Sequence, residues 1–209
     1  MAEHIVGDLR ELEPTAWVFW QPVEDLYNMQ KVENLNWGSV YIDFDCNAEG
    51  NSLRRIADGE ADPSCKVLTN EKYNTVRNFT HYIHPGDRLM ATDNAQSTAA
   101  VDADGQGATI VHVNGDDSAK TVQIDLSDFG TIAPGATVTP IVTTQSTADQ
   151  PTVNALKEGA KVAVDAASRT ATVTVPAKSV TTFVIDGVSG VSQDAAAFRD
   201  GESVQLTGL

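Results

Sequence analysis

The sequence predicts a mainly β fold, an antiparallel β-sandwich preceded by an α/β segment, and three observations carry that expectation. First, the aromatic and sulfur residues are segregated. The three tryptophans (Trp17, Trp20, Trp37), the four tyrosines (Tyr27, Tyr41, Tyr73, Tyr82) and both cysteines (Cys46, Cys65) all precede residue 83. Second, the apolar residues of this first part recur at three-and-four spacing, the period of a helix face. Third, from about Arg88 the chain is rich in Thr, Val, Ala, Ser, Asp and Gly, and its apolar residues alternate with polar ones, the period of a strand wet on one face.

Taken in order, Ala2, Ile5, Val6, Leu9 and Leu12 share one face of an opening helix, and Glu13-Pro14 stops it, because proline disfavours helical geometry at the residue before it. Ala16-Trp17-Val18-Phe19-Trp20 is apolar throughout and predicts a strand buried on both faces, as in a parallel sheet. Helix, short loop and buried strand together make an αβ unit of a barrel or a doubly wound sheet. Val40–Phe44 predicts a short strand, and residues 45–68 an irregular charged loop. Thr69 or Asn70 caps a second helix with Tyr73, Val76, Phe79, Tyr82 and Ile83 on one face, ended by His84-Pro85-Gly86. Beyond it, Val122/Ile124/Leu126, Val162/Val164 and Ala171/Val173/Val175 alternate with polar residues. Turn signals stand at Asp104-Gly105, Asn114-Gly115, Pro134-Gly135 and Asp186-Gly187. Short alternating strands with regular turns make a sandwich. The expected organisation is thus 1–86 as the α/β part, 87–187 as the sandwich, and 188–209 as a linker or the start of a further module, with a weak helical turn at Asp194–Phe198 and a strand-like alternation at Glu202–Thr207.

Charge excludes several partners. Lys+Arg number 14 against Asp+Glu 29, a formal net charge of −15, which disfavours nucleic acid and anionic lipid alike. No apolar run is long enough to span a bilayer. Met1-Ala2-Glu3-His4 lacks the basic start and apolar stretch of a signal peptide. Neutral polysaccharide, held by aromatic faces and hydrogen bonds, remains. Cys46 and Cys65 are either a disulfide of a secreted protein or two free thiols.

The chemistry concentrates in Trp17–Asp25 and Asn36-Trp37-Gly38. If Ala16–Trp20 is a barrel strand, Trp20, Gln21, Glu24 and Asp25 emerge at its C-terminal end, where barrel sites lie. An indole offers a flat platform to the C–H face of a sugar, and amide and carboxylate groups beside it take hydroxyls. Trp20, Gln21, Glu24, Asp25 and Trp37 are the expected substrate-binding residues, whereas Trp17 and Phe19 read as core. Glu24 and Asp25 are neighbours on a strand exit and point in different directions, so they do not make a catalytic pair. His81 and His84 have helical spacing but no third ligand, and Asp102, Asp104, Asp116 and Asp117 lack EF-hand spacing, so no metal site is expected. Asn78-Phe79-Thr80 fits a glycosylation sequon but falls inside a helix. The sequence carries no P-loop, dinucleotide fingerprint or nucleophile elbow, and no cofactor is expected.

Trp17-Val-Phe-Trp20-Gln21, Asn36-Trp37-Gly38, Lys72-Tyr73 and Asn78-Phe-Thr-His-Tyr-Ile-His-Pro-Gly86, followed by a sandwich closing on Thr181-Thr-Phe-Val-Ile185, resemble glycoside hydrolase family 30 over residues 1 to about 187, and more narrowly its endo-β-1,6-galactanases. The resemblance implies the eighth strand and last helix of a (β/α)8 barrel plus the sandwich of a secreted, retaining enzyme acting on β-galactan side chains. Its two catalytic glutamates belong to the fourth and seventh strands and have no matching positions here, so the catalytic set of this chain is expected to be empty and the C-terminal fragment inactive alone. The alternative is a carbohydrate-binding β-sandwich module without catalysis. An isolated barrel strand leaves apolar faces and backbone groups bare, so a homo-oligomer that covers it is expected.

Overall fold

The computed structural model describes residues 1–191 and 203–205. In chain order the elements are α1 (Ala2–Glu11), β1 (Val23–Asp25), β2 (Val40–Ile42), α2 (Leu53–Ala57), β3 (Val67–Thr69), α3 (Glu71–Thr80), β4 (Arg88–Met90), β5 (Ser97–Val101), β6 (Gly107–Asn114), β7 (Lys120–Asp125), β8 (Phe129–Thr143), β9 (Lys157–Glu158), β10 (Val162–Ala163), β11 (Thr170–Val175), β12 (Ser179–Val191) and β13 (Ser203–Gln205), with one π-helical turn at Asn28–Val32. The fold is mainly β and its large sheet antiparallel, as the sequence predicts. The described chain forms two compact units: Met1–Trp17 with Thr75–Gln145 and the described residues from Asn154 onward, and Val18–Asn74 with Ser146–Val153.

The first unit is the sandwich. Its larger sheet runs β10-β8-β12-β6-β5-β4 with β9 beside β8; the smaller runs β11-β7-β13. Alternation along each strand sends one set of side chains inward. Ile110, Val138, Phe183 and Ile185 of the larger sheet meet Val122, Ile124, Val173 and Val175 of the smaller in one dry cluster. Phe183 is fully buried, and removing its ring costs about 3–5 kcal/mol. The opposite face of the larger sheet is also covered. Ile5 and Val6 of α1 and Phe79 of α3 pack on Val111, Val113 and Val180. That is why β5 and β6 are buried at every position, where an ordinary sandwich strand has a wet face. The apolar stripe of α1 and the end of α3 therefore join the sandwich.

Two of the expected turns are bulges. Pro134-Gly135 lies within β8 and Asp186-Gly187 within β12, and the pairing of these strands shifts between Asp186 and Val188. Gly135 and Gly187 have φ of +87° and +80°, so glycine absorbs the extra residues without ending either strand. A Cβ at Gly187 would also come 3.0 Å from the Ala136 backbone. The strand beginning at Ser179 continues to Val191, past the expected start of the linker. Ser203–Gln205, within the expected strand-like stretch, pairs in parallel with β7. The helical turn expected at 194–198 lies outside the described residues.

The second unit is a small three-stranded sheet, β1-β2-β3, parallel between β1 and β2 and antiparallel between β2 and β3. The strand expected at Ala16–Trp20 is not formed; those residues have no regular pairing, and Val18 and Trp20 are 87% and 78% exposed. A doubly buried strand needs a neighbour on both sides and cover on both faces, and among the described residues this segment has neither. Pairing starts instead after Pro22, whose carbonyl accepts the Ser39 and Val40 amides. Residues 45–68 are also more ordered than expected. They hold α2, capped by Ser52, and β3, and a Cys46–Cys65 disulfide closes them. Helix α2 has no buried residue, so polar anchors hold it. Arg54 makes a bidentate pair with Asp25 at 2.7 and 2.8 Å and reaches Asp45, while Arg55 reaches Asp43 and Glu60. Partial burial works against ionisation of Asp45, yet the Arg54 guanidinium and backbone amide hold its carboxyl down to about 2.

Candidate functional site

The site is built on the loop into β1, on β1 itself and on the irregular segment before β2. In β1, Glu24 and Asp25 leave the strand on opposite sides, as the pleat requires. Asp25 turns to Arg54, which engages both of its oxygens; its role in this arrangement is to anchor α2. Glu24 turns the other way and is 2% exposed. Gln21 Nε2 donates to its Oε1 at 3.3 Å, while its Oε2 is buried and accepts no hydrogen bond. Gly38 lies against it, and a Cβ there would come 2.8 Å from Glu24 Cγ. Glycine at 38, in the Asn36-Trp37-Gly38 segment, is thus required by the position of the Glu24 side chain.

That segment is fixed by hydrogen bonds from the start of α3. Lys72, in the first turn of α3, donates to the carbonyls of Asn36 and Trp37, the latter at 3.0 Å. Burial pushes the Lys72 ammonium down, and the nearby Glu24 charge works against that shift. Asn70 caps α3 by accepting the Lys72 and Tyr73 amides, as its sequence position predicts, and its amide group donates to the Gly38 carbonyl at 2.9 Å. Tyr41, the partner of Glu24 across β1 and β2, donates to Asn36 Oδ1. Burial raises the Tyr41 phenol, and the Glu24 charge adds to it.

Of the five expected residues, then, Gln21 and Glu24 are in contact, Trp20 and Trp37 are 78% and 50% exposed on either side of them in sequence, and Asp25 is engaged elsewhere. Sequence reasoning missed Tyr41, Asn70 and Lys72 as supports of the site, and Arg54 as the partner of Asp25. Asn70 was legible only as a helix cap, and nothing in the spacing marked Arg54. Exposed indoles and an amide fixed by a buried carboxylate are groups suited to a neutral polyhydroxyl ligand.

The remaining candidates resolve as structure. Trp17 donates to Asp8 at 2.8 Å and packs against the α1 cluster. Asn78 is fully buried and donates to Thr182 Oγ1 at 3.0 Å and the Ile141 carbonyl at 3.3 Å, so the folded chain does not offer this sequon. Asp116 and Asp117 pair with Lys120 and Lys178. Among the described residues no group of three or more His, Cys, Asp or Glu is arranged to hold a metal.

No family profile matches the sequence. Over the whole chain it is 37% identical to an exo-β-1,6-galactobiohydrolase of Bifidobacterium longum subsp. longum, and the match takes in 16% of that protein. Over 70% of the chain it is 25% identical to an endo-β-1,6-galactanase of Hypocrea rufa, covering 25% of that protein. Among solved structures, the catalytic domain of a family 30 xylanase C from Talaromyces cellulolyticus superimposes on 88% of the chain with a TM-score of 0.52 at 16% identity, covering 34% of its own length. The chain resembles galactanase-like enzymes of glycoside hydrolase family 30. The galactanase likeness is carried by sequence and the family 30 likeness by fold. The chain spans only about a sixth to a quarter of the curated galactanases' lengths.

Proposed function

We propose that this chain supplies the sandwich and one sugar-contacting wall of a secreted β-1,6-galactan hydrolase, binding galactan through Trp20, Trp37, Gln21 and Glu24 without cleaving it alone. The observation that carries the reading is the exposure of Trp20 and Trp37, which flank in sequence the Gln21–Glu24 contact. The exposed indole faces offer platforms to the C–H face of a sugar, while buried Glu24 holds the Gln21 amide between them in sequence. The relatives' names supply the sugar, a β-1,6-linked galactan. Retaining hydrolysis needs two carboxyl groups facing one bond from opposite sides, about 5–5.5 Å apart. Here the adjacent Asp25 points away from Glu24 into Arg54.

The disulfide supports an oxidising, extracellular setting. Val18, Trp20, Phe44 and Val67 are largely bare, which favours association of this chain with itself when it is alone in solution. Light scattering checks that: a homo-oligomer is expected, and a monodisperse monomer contradicts it. The functional reading is tested by incubating the chain with β-1,6-galactan and following reducing ends, alongside a binding isotherm. Binding without turnover is expected; robust release of reducing ends would overturn the division of labour.

A further inference from the structure

Next to the Asn36–Gly38 segment, on the side of Asn36 and Tyr41, the second unit has a cavity of about 370 Å³. We infer that this cavity is a second sugar-residue pocket, so that the chain grips two consecutive residues of a β-1,6-linked galactan; the inference rests on the galactan reading above. One side of the pocket is polar and prearranged. Asn36 Oδ1 already accepts from Tyr41 Oη, from Asn70 Nδ2 at 3.1 Å and from Lys72 Nζ at 3.3 Å, which leaves the Asn36 amide nitrogen as the donor free to meet a ligand. Asp149 brings an exposed carboxylate to the lining, with no hydrogen bond or ion pair to another described residue. Leu68 and Pro151 add apolar surface. One donor, one strong acceptor and an apolar wall match a sugar ring, which has hydroxyls at its rim and C–H groups on its face.

The loop that completes the pocket is built in place. Residues 146–153 belong with the second unit. Fully buried Asn74 donates to the Pro151 carbonyl at 2.6 Å, Glu71 Oε1 accepts the Ser146 amide at 2.7 Å, and two tight turns run from Thr147 to Val153. Asn36, which lines the pocket, directly precedes the half-exposed Trp37 in the chain. A 1,6 linkage has an additional exocyclic carbon and hence an additional rotatable bond. That freedom lets one ring lie on an indole while the next turns into a pocket nearby.

The test compares galactose with β-1,6-galactobiose on the intact chain by titration calorimetry. The disaccharide is expected to bind at least tenfold more tightly. Asp149→Ala, and Ala148→Trp placed to fill the pocket, are each expected to abolish that preference; Asp149→Ala keeps the test decisive if the larger side chain disturbs the loop. Equal binding of the two sugars, or a preference that survives both substitutions, overturns the second pocket while leaving the Trp20 site intact. Failure of both sugars to bind, or galactose affinity unchanged in Trp20→Ala, overturns the galactan reading and the pocket with it.

Discussion

Acid should loosen the sandwich through one residue. His112 lies on the inward face of β6, buried, with its Nδ1 2.8 Å from Ser97 Oγ and its Nε2 without a partner. Burial pushes its pKa from the ordinary imidazole value near 6.5 down to about 4, and the Lys120 charge adds to that. Between those two values the unfolded chain binds a proton that the folded chain refuses, so folding stability falls as the pH is lowered through that window. At about 1.4 kcal/mol per unit, a shift of this size amounts to about 3 kcal/mol, present in full above roughly pH 6.5 and lost by about pH 4. The assay is urea unfolding of the chain and of His112→Asn at half-unit steps from pH 7.5 to 4. Carboxylates act on both proteins alike, so the difference between the two isolates His112. That difference should be constant above neutrality and shift by about 3 kcal/mol, in favour of the variant, by pH 4. Parallel curves across the whole range would refute the reasoning, because they would mean that His112 titrates alike folded and unfolded.

Three further outcomes follow from the second unit. Cys46→Ser with Cys65→Ser releases a loop spanning 19 residues, which should lower stability by about 3 kcal/mol; thermal unfolding with and without reductant checks it, and an unchanged transition contradicts it. Arg54→Met leaves Asp25 without its bidentate partner and frees Asp45 from the group that holds its carboxyl down. A loss of about 3 kcal/mol is expected in denaturant titration. Gly38→Ala forces the Glu24 side chain to move, because the added methyl would lie 2.8 Å from its Cγ. Galacto-oligosaccharide affinity should fall about tenfold, equivalent to 1.4 kcal/mol, as read by calorimetry.

The parts of this protein legible in its sequence are those whose signal is periodic or local. The stripe of Ile5, Val6 and Leu9 gives α1; Asn70 announces the cap of α3; and the alternation of Val122, Ile124 and Leu126 gives β7 with its dry face. The misreadings all involve partners distant in sequence. Ala16–Trp20 has the composition of a central strand, but strand formation is decided by pairing, and no strand is formed there. Helix α2 is five residues long, leaves Leu53 and Ile56 exposed, and is held by Arg54 and Arg55 reaching carboxylates up to 29 residues away. Glycine beside proline or aspartate at 134–135 and 186–187 signals a left-handed residue correctly, yet the same conformation serves a bulge as well as a turn. At the site, Trp20, Gln21, Glu24 and Trp37 are legible as chemistry. The division between Glu24 and Asp25 depends on which side of β1 carries Arg54, and only the pairing of β1 with β2 fixes that.

The most direct measurement is tryptophan fluorescence of the chain during titration with β-1,6-galacto-oligosaccharides, repeated with Trp20→Ala and Glu24→Gln. The account predicts saturable quenching in the native chain, its loss in Trp20→Ala and a weaker affinity in Glu24→Gln. The same dissociation constant in all three proteins, or no saturable change in the native chain, would contradict it.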